Sequence, residues 1–219
     1  MRPSAGTWQA FALAFALLAG VAARATVTPA QFQSGELPAI PVLGVGGGVL
    51  ILEVAVGRDG GVRAVKRTHS TLAFADAVIA TVKGWRFRPA GEAAAPVDST
   101  VLVSAVFRPP AMYAAGSSTP MRDDGSASKD APFPLRIVTP PFPPRARMGG
   151  VVLVEVRVDA KGEVSGVKVV RSASGFDDTA TQAAHRWTFR SAQAAGEPVP
   201  ALAYVIFGFP QPVTSPDAR

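Results

Sequence analysis

Cysteine is absent from the 219 residues. No disulfide framework, thiolate metal site or thiol nucleophile is therefore available, although this absence does not separate an oxidising compartment from a reducing one. Histidine is scarce too, with His69 and His185 the only two. Neither sits in an H-E-x-x-H frame, and no G-x-S-x-G elbow occurs. The formal net charge is +6, but the basic residues form no cluster. A nucleic-acid partner, which needs a concentrated basic footprint, is not expected. Long apolar runs are confined to one place, Phe11 to Ala23, where 13 residues pass without a charge.

That run follows Arg2 and precedes Ala23-Arg24-Ala25. A short positive start, an apolar stretch and an A-x-A site make a secretory signal peptide over residues 1–25. The run falls short of the ~20 apolar residues that a spanning helix needs. The alternative is that the segment is retained as a membrane anchor. No later stretch is long enough to span a bilayer.

Apolar residues make up 48% of the chain, enough for a packed core, and only three are tryptophan. Two of these, Trp85 and Trp187, each stand in a W-x-F-R-x-A frame, 102 residues apart. The same offset superimposes much more. Gly60 meets Gly162, Lys66 meets Lys168, Ser70 meets Ser172, and Phe74 and Asp76 meet Phe176 and Asp178. Pro96-Val97 meets Pro198-Val199, and Phe107 meets Phe209. A self-match of this extent is a domain repeat. It predicts one copy over residues 30–109 and a second over 132–212. Between them, residues 110–131 are rich in Pro, Gly, Ser and Asp without apolar periodicity and read as a flexible linker. Residues 213–219 read as a loose tail.

Each copy has the same local pattern. Val152, Val154, Val156 and Val158 alternate with Glu155 and Arg157, the period of a half-buried strand. Asp159 to Gly162 is a turn, and Val164 to Val170 a second strand, so the pair is an antiparallel hairpin. The first copy repeats this over Val49–Val56 and Val62–Thr68. A helix follows, with Asp177 or Asp178 (Asp76 in the first copy) as its expected cap. Its apolar stripe is Phe176, Ala180, Ala184 and Trp187, matched by Phe74, Val78, Val82 and Trp85; such a stripe faces a sheet. Trp and Phe at W-x-F spacing then share one side of an extended exit and enter the core. Val101–Phe107 and Leu202–Phe209 are the closing strands. The expected fold class is α+β, with two tandem small β-β-α-β domains, each a three-stranded antiparallel sheet packed on a helix. With three strands per sheet, the last one is expected to be an edge.

Little points to catalysis. His69 and His185 fall at non-equivalent places in the repeat, facing Arg171 and Lys83. Gly44, Gly46, Gly47 and Gly48 precede a strand, whereas a dinucleotide fingerprint follows a strand and opens a helix. The expectation is no enzyme, with no catalytic residue, cofactor or metal.

The second copy resembles the C-terminal domain of TonB, the periplasmic energy transducer. The matching elements are the proline-rich entry ending near Arg145-Ala146, where Phe142-Pro143 stands in place of the family's Tyr-Pro, then G-x-V-x-V-x-V with a D-x-x-G turn, and V-x-x-V-x-V-x-x-S. Phe176-Asp177 before a helix ending in Trp187-x-Phe189, and Gly196-Glu197-Pro198-Val199 before the last strand, complete the likeness. The first copy matches through Gly60, Ser70, Trp85 to Pro89 and Pro96-Val97. The resemblance implies a periplasmic protein that binds an envelope protein, such as an outer-membrane receptor box, by pairing an extended peptide with the last strand. The implied site residues are Leu202, Tyr204, Val205, Ile206 and Phe207. Energy transduction for transport across the outer membrane would need the retained anchor, facing the periplasm from the inner membrane. The spacer between the expected signal peptide and the first copy, Thr26 to Gly35, is only about ten residues, far shorter than the family's long proline-rich spacer. The alternative is a structural or assembly module, whose two last strands pair with each other or with another chain.

Overall fold

The computed structural model describes residues 27–41, 46–92, 95–110, 116–144, 146 and 148–211. The expected signal peptide, Gly44, Arg145 and the tail lie outside them. Eight principal elements occur in chain order. They are β1 (Gly48–Val56), β2 (Val62–Ser70), α1 (Ala75–Lys83), β3 (Ser99–Phe107), β4 (Gly150–Val158), β5 (Val164–Arg171), α2 (Asp177–His185) and β6 (Ala201–Phe209). The order β-β-α-β thus occurs twice in a mixed α and β chain.

The hairpins form as their alternation predicts. Val54 lies opposite Val65 in the first and Val156 opposite Val167 in the second. Gly60 and Gly162 hold φ of 76° and 84° in the turns. A Cβ at these positions would come 1.9 Å from the Phe87 oxygen and 2.0 Å from the Phe189 oxygen. The close approach is used: the amides of Phe87 and Phe189 each donate to the facing glycine carbonyl at 2.8 Å. Each W-x-F exit is therefore tied to its hairpin turn. The indoles are buried, and their Nε1 groups donate to Glu36 O at 2.8 Å and Val138 O at 3.0 Å. Those acceptors are themselves 102 residues apart, so the repeat extends to the partners of its tryptophans.

Two separate three-stranded sheets were expected, and a single six-stranded sheet is found, in the order β5-β4-β6-β3-β1-β2. All its ladders are antiparallel except the central one. There β6 and β3 run parallel, from Ala203 opposite Leu102 to Gly208 opposite Phe107. The cause is apolarity on both sides of the last strands. In β3 every residue from Val101 to Phe107 is buried, and in β6 every residue from Leu202 to Phe209. A strand buried on both faces belongs inside a sheet.

Alternation along the strands separates two cores. Leu50, Leu52, Val54 and Val56 pack with Val78 and Val82 of α1, with Trp85 and Phe87, and with Tyr204 and Ile206 from the other repeat. Val152, Val154, Val156 and Val158 pack with Ala180, Ala183 and Ala184 of α2, with Trp187 and Phe189, and with Ile51, Leu102 and Val106 from the other repeat. Leu50 and Ile51 are adjacent but lie in different cores, so α1 and α2 cover opposite faces. A parallel central pair with helices on opposite faces is an approximate two-fold arrangement about an axis along the strands.

Two local expectations need correction. The helix N-caps are Phe74 and Phe176, with no side-chain cap bond. Asp177 instead accepts from the Ala173 amide at 3.0 Å and from the Ser172 hydroxyl, while Asp76 meets Arg67 at 3.3 Å. These carboxylates still sit at the positive end of a helix dipole, but they brace the preceding turn or strand. Nor is residues 110–131 wholly a free linker. Ser117–Pro120 pairs with Phe133–Thr139, and Asp123 forms an ion pair with Arg190 at 2.6 Å.

Candidate partner-binding edges

Leu202, Tyr204, Val205, Ile206 and Phe207 were expected to form a free edge. They lie in β6, which is hydrogen-bonded to β4 on one side and β3 on the other. All five are buried. Their strand is the seam between the repeats. The expectation of an edge failed because each repeat was counted alone, whereas the last strand of one completes the sheet of the other.

Polar groups at this seam are arranged with care. Tyr204 belongs to the second repeat but extends into the core of the first. Its hydroxyl accepts from the Phe32 amide at 2.7 Å and can donate to Glu155 Oε2 at 3.1 Å. Burial raises the phenol's pKa above its ordinary value; the Phe32 amide opposes this, and the neighbouring Glu155 carboxylate adds to it. Glu53 stands at the repeat position equivalent to Glu155. It accepts from the Ser128 amide and lies 3.2 Å from Lys66 Nζ. Both carboxylates are buried to a similar degree. Each fixes a segment that precedes the first sheet strand of a repeat, Phe32 through Tyr204 in one case and Ser128 directly in the other. A glutamate recurring at the same place in two largely apolar strands was the available clue to these contacts, which sequence reasoning missed.

With the last strands paired, the sheet has two outer strands, β2 and β5, each with one neighbour. Both carry register shifts against their partners, between Ile51 and Leu52 and between Ala55 and Val56 in one hairpin, and between Leu153 and Val154 and between Arg157 and Val158 in the other. Such bulges are common at sheet edges, where they bend and twist the strand. A groove crosses one end of the seam, lined by Ala30, Val101, Glu155 and Leu202 among others.

His69 lies on β2 opposite Ile51, and His185 is exposed in the last turn of α2, in the other repeat. The structure does not unite them in one site. Among the described residues no group of three or more His, Asp or Glu could hold a metal ion. No described helix is long and apolar enough to cross a membrane.

Residues 139–209 match the family model described as Gram-negative bacterial TonB protein C-terminal. The matched span begins at the end of the strand before β4 and ends with β6, so the similarity to TonB C-terminal domains covers the second repeat. No curated protein matches the chain.

Proposed function

We propose, with residues 139–209 as a TonB C-terminal domain for premise, that the chain is a periplasmic TonB-like protein that binds an envelope protein by edge-strand addition. The partner would be an outer-membrane receptor or another periplasmic segment in extended form. The first repeat is read as a second domain of the same kind, on the strength of the shared glycines, W-x-F exits and element order. The observation that carries the binding mode is the position of β2 and β5 at the two ends of a six-stranded sheet. An exposed edge offers main-chain donors and acceptors to an incoming strand. On this reading Leu202, Tyr204, Val205, Ile206 and Phe207 serve binding indirectly, by holding the two repeats as one platform.

The assembly reading is favoured by the same seam. The last strands do pair with each other, and edge addition of a second copy would extend the sheet. Residue-resolved amide exchange of the full chain, with and without a receptor-derived peptide, separates the two. Added protection on Val62–Ser70 or Val164–Arg171 is expected. Protection on Ala201–Phe209 coupled to loss of the seam would contradict the proposed mode. Added protection with rising protein concentration and no peptide would favour assembly. A role in energy transduction further requires that residues 1–25 be retained. Intact mass from an osmotic-shock extract decides this: a soluble species starting at Thr26 removes the anchor, and a membrane-held species starting at Met1 keeps it.

A further inference from the structure

The two outer edges differ in one respect that bears on what they would bind. On β2 every cation faces an acid. Arg63 lies 3.0 Å from Asp59, Lys66 3.2 Å from Glu53 and Arg67 3.3 Å from Asp76. Lys66 also donates to Ser126 O at 2.7 Å. On β5 the equivalent lysine is Lys168, and it lies opposite Glu155 as Lys66 lies opposite Glu53. Yet Glu155 is engaged by the Tyr204 hydroxyl, where the first repeat has Leu102. Among the described residues the side-chain ammonium of Lys168 has no ion-pair or hydrogen-bond partner.

Arg157 is a second such cation. It is exposed on β4 and lies opposite Gly166. Because Gly166 has no side chain, Arg157 can lie across it toward the edge; its Cδ is 3.7 Å from where a Gly166 Cβ would stand. Arg171, opposite Leu153, continues the row on the same side and donates to Gly35 O at 3.1 Å. Arg157, Glu155 and Leu153 are alternate residues of β4, which share a side and stand about 6.5–7 Å apart, and the positions opposite them are Gly166, Lys168 and, past the register shift between Leu153 and Val154, Arg171. The second hairpin thus offers a row of three cations beside an unpaired edge, and no acid occurs between Val164 and Arg171.

We propose that β5, and not β2, is the edge that takes the partner, and that the partner segment is an extended peptide with carboxylates at alternate positions. Its backbone adds to Val164–Arg171, and its acidic side chains face Arg157, Lys168 and Arg171. The other edge, with its cations answered internally, has no such free charge to offer an acidic segment. This inference rests on the edge-addition reading above and sharpens it.

The test uses the full chain and two labelled octapeptides, Thr-Glu-Val-Glu-Val-Glu-Val-Thr and its counterpart with Gln for every Glu. Fluorescence anisotropy gives affinity at low and physiological salt, and amide exchange locates the peptide. The acidic peptide is expected to protect Val164–Arg171 and to weaken with salt. Lys168→Glu and Arg157→Glu should each lower its affinity by about fivefold or more at low salt, while Lys66→Gln leaves it unchanged. Equal affinity of the Gln peptide, with Val164–Arg171 protected, would overturn the acid preference and leave edge addition standing. Protection of Val62–Ser70 instead would overturn the choice of edge. Protection of neither edge, or no binding of either peptide, would overturn both this inference and the edge-addition reading.

Discussion

Glu53 and Glu155 occupy the same place in the two repeats, are equally buried, and meet different partners. In the first repeat the carboxylate is neutralised by Lys66 and capped by the Ser128 amide. In the second it meets the Tyr204 hydroxyl, which also binds the Phe32 amide. A buried carboxylate needs hydrogen-bond or charge partners to offset its desolvation, and the chain meets that need in two ways. Replacement of Leu102 by Tyr204 at the equivalent position is enough to divert one glutamate and release one lysine. Near-symmetric halves thereby acquire one answered edge and one charged edge. The comparison teaches that the repeat fixes the framework, while single departures from it at the seam decide what each outer strand presents.

The strongest way to test whether the halves form one body is to empty one core. Trp187→Ala should cost about 3–5 kcal/mol as a core truncation, and Trp85→Ala a similar amount. Because β3 and β6 join the cores through one sheet, either variant should lower a single shared unfolding transition in denaturant. Two separated transitions, with the unmutated half unaffected, would break the account of a continuous sheet.

Next in size are the turn glycines. Gly162→Ala places a Cβ against the Phe189 oxygen at positive φ and should cost about 2–4 kcal/mol. Gly60→Ala should match it. Gly175 also has positive φ but nothing within 4 Å, so Gly175→Ala should cost only about 1 kcal/mol. Equal losses at all three would show that the close approach is unimportant.

Tyr204→Phe should cost about 1–3 kcal/mol, because it strips partners from the Phe32 amide and Glu155. A phenol whose pKa is raised by folding keeps its proton in the native state after the unfolded chain has lost it. Stability must then fall as pH rises above about 10, the ordinary tyrosine value. Denaturant midpoints between neutral and strongly alkaline pH should show this fall, reduced in Tyr204→Phe. The smallest effect separates the edges: Lys66→Gln should cost about 0.5 kcal/mol and Lys168→Gln close to nothing. A larger loss at Lys168 would mean that it is already paired.

Much of the framework was legible. The 102-residue offset located both hairpins, both helices and both W-x-F exits, because glycine at positive φ and buried indole allow few substitutes. The stripe from Phe176 to Trp187 marked the face of α2 that is buried. The linkage of the repeats entered only as the alternative in which the two last strands pair with each other, although Val101–Phe107 and Leu202–Phe209 carried its sign in being almost wholly apolar on both faces. Treating each repeat as complete made those strands look like edges. The Asp177 contacts were missed because a carboxylate at a helix start has two ways to find amides, forward into the helix or back into the turn, and spacing alone does not choose. The pinning of Ser128 by Glu53 was also hidden, since it joins residues far apart in sequence through a main-chain amide.

Amide exchange across β3 and β6 in the unliganded full chain tests the seam most directly. A strand with one neighbour protects about every second amide, and a strand between two neighbours protects them in succession. Contiguous protection from Leu102 to Phe107 and from Ala203 to Gly208 is predicted, with alternating protection on Val62–Ser70 and Val164–Arg171. Alternating protection along Ala203–Gly208 would contradict the account and return that strand to the outside of the sheet.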